Sequence, residues 1–297
     1  MEFSPISLEW QAVLDGALAE QAPDTADAVF VNLWLWRFER KIELAKDRDF
    51  IYIKQTCHTC DGEEQEPYFL FPVGRGNIKA ALERLAKHCA AEGTPLRFRA
   101  LTTKQKAALE GCCPRGFDIK HDRDHSDYLY DCAALINLNG RDYHSKKNFI
   151  NRFATFYGIR YERLNDTNYY ETIAFINAWF ERAPYPAEAE KKGIISLLND
   201  YRRFRCSYGL LRAEGQIAAF TIGESLSENA AVIHVEKADG ANFQGSYQTI
   251  NQVHLAREYA DKTIINREED LGIEGLRKAK LSYHPIAFAD KFSAIAR

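Results

Sequence analysis

Apolar and polar positions run along this chain in two successive rounds of helix and strand patterning. The first opens with a helix-compatible span (8–20) and a second helix carrying Trp34, Leu35 and Phe38 on one side. Strand-like runs KIELAK (41–46) and DFIYIK (49–54), a turn at CDGEEQE (60–66) and a strand at PYFLFPV (67–73) follow. GRGN (74–77) connects to an amphipathic helix (78–93) ended by Gly93, then come a strand (96–102) and a helix (102–111). A polar stretch, DIKHDRDHS, and the aromatic DYLYD (127–131) precede a long helix over 141–157. Phe149, Phe153 and Phe156 fall there at i, i+4 and i+7, which predicts one core-facing side, and Gly158 closes it.

From Ile159 the order recurs: a strand (159–164), two helices (168–183 and 189–204), three strands (206–213, 216–224 and 230–236), a helix (245–260), a strand (262–267) and a helix (273–283). Helices, a three-stranded meander and a strand-loop-helix crossover are the element order of the acetyltransferase-like α+β fold. The pattern therefore predicts two tandem acetyltransferase-like (GNAT-type) domains, each a mixed, splayed, mostly antiparallel sheet flanked by helices. The expected division is an N-terminal domain over 1–135, a linking helix over 136–158, and a C-terminal domain over 159–297 that carries the main site. GRGN could seat a phosphate, but it lacks the longer glycine-rich signature of a coenzyme A loop, so the first domain is the degenerate one.

Composition narrows the class. A chain of 297 residues exceeds the usual single domain, and 46% hydrophobic content excludes disorder. A net charge of -3 argues against a whole-surface nucleic-acid binder. No apolar run approaches a membrane span and no signal-like start is present, so a cytoplasmic protein is expected. Seven scattered cysteines do not form a disulfide framework. Cys57-His58-Thr59-Cys60 is half of a zinc site with no second pair to complete it, and no metal is expected.

At HVEKADGANFQGSYQTINQ (234–252) and INREEDLGIEGLRKAKLSYHP (265–285), with DYLYD and RDYHSKKNFINRF (141–153) upstream, the sequence resembles a bacterial family of largely uncharacterised proteins. These are related to the C-terminal domain of phosphatidylglycerol lysyltransferases. The resemblance covers roughly residues 120 to 290 strongly. It implies an acyltransferase that moves an aminoacyl group from aminoacyl-tRNA, or less favourably an acyl group from acyl-CoA, to an amine or hydroxyl acceptor such as a small molecule or lipid headgroup, with no cofactor required. Characterised relatives carry an integral-membrane domain that this sequence does not show, so lipid lysylation does not simply carry over. The alternative is a non-catalytic cleft that binds a small metabolite or peptide.

The candidate site lies at two strand ends. Acyl transfer requires the acceptor to lose a proton, and a carboxylate or imidazole at a strand end can take it. Glu236 is the first choice and His234 the second, because alternation places both on one sheet face. A plain salt bridge of Glu236 with Lys237 or Arg267 is the competing reading. Lys237 and Asp239 follow in the turn. Gln244, Gln248 and Asn251, with Tyr247 adjacent, offer amide donors and acceptors to a ligand or form a wet helix face. The helix start near Gly245 would favour developing oxyanion charge. Asn266 and Arg267 close the next strand, where the guanidinium would bind a carboxylate or phosphate. Glu268, Asp270, Arg277 and Lys280 continue the cluster, although helix-end electrostatics explains much of their sign pattern. His144, Lys146, Lys147 and Arg152 form either a polyanion-binding patch for tRNA or a solvated helix face.

Overall fold

The computed structural model describes residues 1–19, 21, 25–58, 62–183 and 187–297. Cys60, and with it the Cys57/Cys60 spacing, lies outside them. In chain order the first round gives β1 (Ser4–Pro5), α1 (Trp10–Ala19), α2 (Phe30–Trp36), β2 (Arg40–Asp47), β3 (Phe50–Cys57), β4 (Tyr68–Phe69), β5 (Val73–Gly74), α3 (Ile78–Ala91), β6 (Arg97–Thr102), α4 (Thr103–Cys112) and β7 (Phe117–His121). Then come β8 (Asp127–Asp131), α5 (Cys132–Asn137), α6 (His144–Tyr157), β9 (Arg160–Arg163), α7 (Tyr169–Glu181), α8 (Glu188–Asn199), β10 (Cys206–Ala213), β11 (Gln216–Ser225) and β12 (Ala230–Ala238). The chain ends with α9 (Ser246–Glu258), β13 (Ile264–Asn266), α10 (Glu274–Leu281), β14 (Ala287–Ala289) and β15 (Lys291–Ala296).

Two mixed, mostly antiparallel sheets flanked by helices result. One has the order β1-β2-β3-β4-β6-β15-β7 with β5 also on β3, and the other β14-β8-β13-β12-β11-β10-β9. Two compact units hold them: residues 1–127, 269–272 and 289–297 in one, 128–268 and 273–288 in the other. This differs from the division expected at 135 and 158. The last strand, β15, pairs antiparallel with β6 and β7 of the first sheet, and α6 packs on α9 within the second unit rather than standing as a linker. Lys291 fixes the returning strand: its buried ammonium lies 2.7 Å from Asp127 and 2.8 Å from Asp27. Burial opposes that charge, but the carboxylates outweigh it and hold the lysine well above its ordinary value.

Local departures have local causes. PYFLFPV breaks into two short strands around Pro72, which has no N–H to give a ladder. Half of the polar DIKHDRDHS is β7, an edge strand whose polar residues meet solvent. In GRGN the glycines answer a packing demand, because a Cβ on Gly74 would lie 2.0 Å from the Asp49 carbonyl oxygen. Asn77 caps α3 by accepting from the Ala80 N–H, so the helix start is already served from within.

The predicted stripe of α6 is rotated. Phe153 is fully buried, but Phe156 is 69% exposed; the inward side runs through the buried Ile150 and through Phe153 and Tyr157, which pack with Leu211, Ala238, Phe243 and Ile250. Phe153→Ala should therefore cost about 3–5 kcal/mol of unfolding free energy, and Phe156→Ala no more than about 0.5 kcal/mol. Urea unfolding of the two variants checks the orientation.

Candidate functional site

The site forms where two parallel strands part. β12 and β13 are paired only from Ala230↔Ile264 to Val232↔Asn266, and His234 and Glu236 lie beyond that ladder. The register against β11 slips between Ile222↔Val235 and Gly223↔Ile233, which leaves His234 as the extra residue of a β-bulge. Before the bulge Ile233 packs with Leu255 and Tyr259 of the α9 segment; after it, Glu236 bonds to Asn251 on the same helix. His234 and Glu236 therefore do not share a face, and the expectation from simple alternation fails at the inserted residue.

Glu236 sits in a polar clamp. Its Oε2 accepts from Asn251 Nδ2 at 3.0 Å and its Oε1 from Arg267 Nη2 at 3.0 Å, so the salt bridge weighed from sequence forms with Arg267. Arg267 is laid over the Tyr283 ring at 4.8 Å and lies 5.8 Å from that of Tyr130. Burial works against its charge, and Glu236 more than restores it, holding the guanidinium above its ordinary value. Its Nη1 is buried without a well-formed hydrogen bond among the described residues, and the Tyr283 hydroxyl also favours the guanidinium charge. Burial likewise pushes the Tyr283 hydroxyl up to about 12, against the pull of Arg267.

The chain leaves β13 in a way that holds this arginine still. Asn266 Oδ1 accepts from the Glu268 N–H at 2.7 Å, bending the strand end, and Glu268 takes φ +54°. Lys280 Nζ donates to the freed Arg267 carbonyl at 2.6 Å, and Tyr130 donates to the Lys280 carbonyl at 2.8 Å. Lys146, expected in a surface patch, instead donates to Ser282 Oγ at 2.6 Å and lies 4.4 Å from the Tyr283 ring. Burial, then the nearby Arg267 charge, holds its ammonium below the ordinary lysine value.

Other candidates go elsewhere. His234 is clamped, Nδ1 to Glu268 and Nε2 to Glu224, each at 2.8 Å. Burial opposes its charge, but the two carboxylates outweigh burial and lift it to about 10, so the group is an imidazolium with both nitrogens engaged and no base. Lys237 pairs with Glu190 at 2.7 Å beside the Trp179 ring, on the side of α7 and α8. Asp239 binds Arg182 and Asn242 and closes the turn after β12. Asp270 belongs to the other unit, where it meets Arg123 at 3.4 Å and the Gly272 N–H at 2.9 Å. Tyr247 is half-buried against the α6 core, Gln248 is half-buried beside Asn251 on α9, and Arg277 is half-buried on α10. His144, Lys147 and Arg152 are exposed on α6. The helix start at Gly245 is covered on one side, since a Cβ there would lie 2.4 Å from the Phe149 carbonyl oxygen of α6.

The family model described as phosphatidylglycerol lysyltransferase, C-terminal, matches residues 20–295. The chain belongs to this family. A crystal structure of a conserved protein of unknown function from Bacteroides thetaiotaomicron is 30% identical, with 100% of each chain covered and a TM-score of 0.91. L-PGS from Bacillus licheniformis shares the fold at 15% identity, covering 99% of this chain and 93% of that one with a TM-score of 0.67. An uncharacterised protein of Mycoplasmoides gallisepticum is 27% identical over 168 residues, 54% of this chain and 53% of that relative, so the chain matches about half of that curated relative's length.

This member of the lysyltransferase C-terminal family also holds a second constellation that the sequence reading missed. Tyr161 donates to Glu258 at 2.9 Å, which leaves its oxygen to accept from His254 Nδ1 at 2.9 Å; Nε2 then accepts from Ser207 Oγ at 3.0 Å, and Tyr259 donates to Ser207 at 2.6 Å. Burial lowers His254 to about 4, so this imidazole is neutral. The signal available was His254 and Glu258 at i, i+4 on one helix. Every member has an internal partner, and a cavity of about 480 Å³ beside it is lined by Tyr161, Glu162, Arg163, Asn165, Arg257 and Glu258.

The two histidines titrate in opposite senses. His234, ordinarily near 6.5 and raised to about 10 in the folded chain, contributes stability that is complete below pH 6.5 and lost as pH rises through about 10. Unfolding free energy should therefore fall across that window, by at most about 1.4 kcal/mol per pH unit. Denaturant unfolding of the wild-type chain and His234→Gln between pH 6.5 and 10 checks this, the variant showing the flatter profile.

Proposed function

We propose that this chain is an acyltransferase that moves an aminoacyl group from an aminoacyl-tRNA to an amine or hydroxyl acceptor, with Glu236 and Arg267 at the centre of the reaction. Family membership supports the reaction class. The observation that carries the residue assignment is a clamped carboxylate beside a buried guanidinium with one nitrogen, Nη1, lacking a well-formed hydrogen bond among the described residues.

In the proposed reaction the acceptor nitrogen or oxygen bonds to the carbonyl carbon of the aminoacyl ester, and the ester C–O bond to the ribose breaks. The proton shed by the acceptor passes through Glu236 to the released ribose hydroxyl. Glu236 is placed to take that proton as the attacking group gives it up in the transition state. Arg267 Nη1 and the Lys146 ammonium supply positive charge for the oxyanion that develops on the carbonyl. Asn251 fixes the Glu236 carboxylate, and Gln248 remains available to orient a ligand. Lys280 acts through the Arg267 backbone, holding the guanidinium in place.

Transfer from a pool of charged tRNAs, and in parallel from acyl-CoA, to mixed amine and hydroxyl acceptors tests the reading. Glu236→Gln keeps the shape of the side chain and should lower transfer at least about 100-fold, with Arg267→Lys retaining more activity than Arg267→Ala. Undiminished turnover in Glu236→Gln and Arg267→Ala removes these roles. Ligand-induced thermal stabilisation without transfer by the wild-type chain favours a non-catalytic binding cleft instead.

A further inference from the structure

The first unit carries a positive cluster of its own. Gln55 of β3 is paired with Tyr68 of β4, and Tyr68 donates to Gln55 Oε1 at 2.8 Å. Arg40, the first residue of β2, donates from Nη1 to the same Gln55 oxygen at 3.1 Å and to the Tyr68 oxygen at 3.4 Å. Arg99 of β6 lies over the ring of the same tyrosine at 4.5 Å. The neighbouring residues Phe69 and Phe98 point the other way, into the core with Leu82 and Leu85 of α3. Two guanidiniums therefore meet one phenol on the side of the sheet turned away from α3.

No carboxylate answers them. Gln55 and Tyr68 are buried and neutral, and among the described residues neither Arg40 nor Arg99 forms an ion pair. Glu66 pairs with Arg97, and Glu39, exposed, is the sequence neighbour of Arg40. Burial opposes the charge on the half-buried Arg40; the Tyr68 oxygen, then Glu39 and Cys57, favour it and keep the group above its ordinary value. A guanidinium withdrawn from water among neutral acceptors ordinarily calls for a counter-charge. Its Nη1 is taken up by Gln55 and Tyr68, which fixes the plane of the fork, while Nε and Nη2 bond to none of the described residues. GRGN does not compete for an anion, because Asn77 already serves the start of α3.

We propose that Arg40 and Arg99, set around Tyr68, form a binding site in the first unit for a small oxyanion, the carboxylate or phosphate group of a small molecule. A planar guanidinium offers paired N–H groups that match either anion, and its bonds to a charged oxygen are about twice as strong as those to neutral ones. Arg40 supplies the oriented fork, and the exposed Arg99 closes over the anion from the face of the tyrosine. Every residue of the site belongs to the first unit, so the inference goes beyond the acyl-transfer reading and does not depend on it.

Isothermal titration of the full chain with inorganic phosphate and, separately, with acetate tests it, at constant ionic strength in chloride. At least one anion should bind, and the tighter of the two names the class of ligand. Arg99→Ala, an exposed substitution, should weaken that binding about ten-fold. Gln55→Glu keeps the shape of the side chain but places a carboxylate on Arg40, and should weaken it at least as much. Circular dichroism checks that both variants are folded, and Arg267→Ala should bind the anion as the wild-type chain does. Binding of neither anion, or binding that Arg99→Ala and folded Gln55→Glu leave unchanged, overturns the proposal. So does binding that is lost in Arg267→Ala and kept in the two first-unit variants.

Discussion

A buried guanidinium is the constraint around which the second unit arranges its functional residues. Removing an arginine from water costs several kcal/mol unless a counter-charge and hydrogen bonds replace the solvent. Glu236 supplies the charge at 3.0 Å, and Tyr130 and Tyr283 offer ring faces to the cation. Glu236 reaches Arg267 because the bulge at His234 reverses the alternation of β12. Without that extra residue Glu236 would project toward α7 and α8, where Lys237 now pairs with Glu190, and the guanidinium would have no partner. One inserted residue therefore sets which carboxylate faces which cation.

Much of the architecture was legible in the sequence because it rests on periodicity. CSYGLLRA (206–213) is β10 residue for residue, and the helices after β9 and β12 fall where apolar spacing puts them. The parts that were not legible depend on long-range pairing. β7 is polar because it is an edge strand, and β15 completes a sheet whose other strands lie well over a hundred residues earlier, anchored by Lys291 on Asp27 and Asp127. In the candidate site, Glu236, Asn251, Asn266 and Arg267 could be singled out as polar groups at strand and helix ends, and the structure brings them together. Lys146 could be singled out only as part of a surface patch, and Tyr130 and Tyr283 not as site residues, since nothing in α6 or DYLYD shows which residues of α10 they meet.

The two histidines show why residue type alone does not assign chemistry. Both are buried, on β12 and on α9, and burial alone would make both neutral. His234 has a carboxylate on each nitrogen and stays charged; His254 has two hydroxyl partners and stays neutral. The first is a structural cation that ties β11 to the loop after β13. The second is the middle of a hydrogen-bond chain that ties α9 to β9 and β10, with Gly209 required because a Cβ there would lie 2.5 Å from His254 Nδ1. Each histidine thus fixes one side of the sheet from which Glu236 projects.

Helix α10 links the interior of the site to its outer surface. It has no buried side chain of its own, so its position rests on Tyr130 bonding the Lys280 carbonyl, Lys280 bonding the Arg267 carbonyl, and Lys146 bonding Ser282. Those same groups set the place of the guanidinium and of the second cation beside it. Packing of apolar side chains is stiff and fixes a helix from within; polar contacts at one end leave it dependent on what lies outside. In this fold, then, the eight-residue helix that walls the site is held by the same residues that seat its guanidinium.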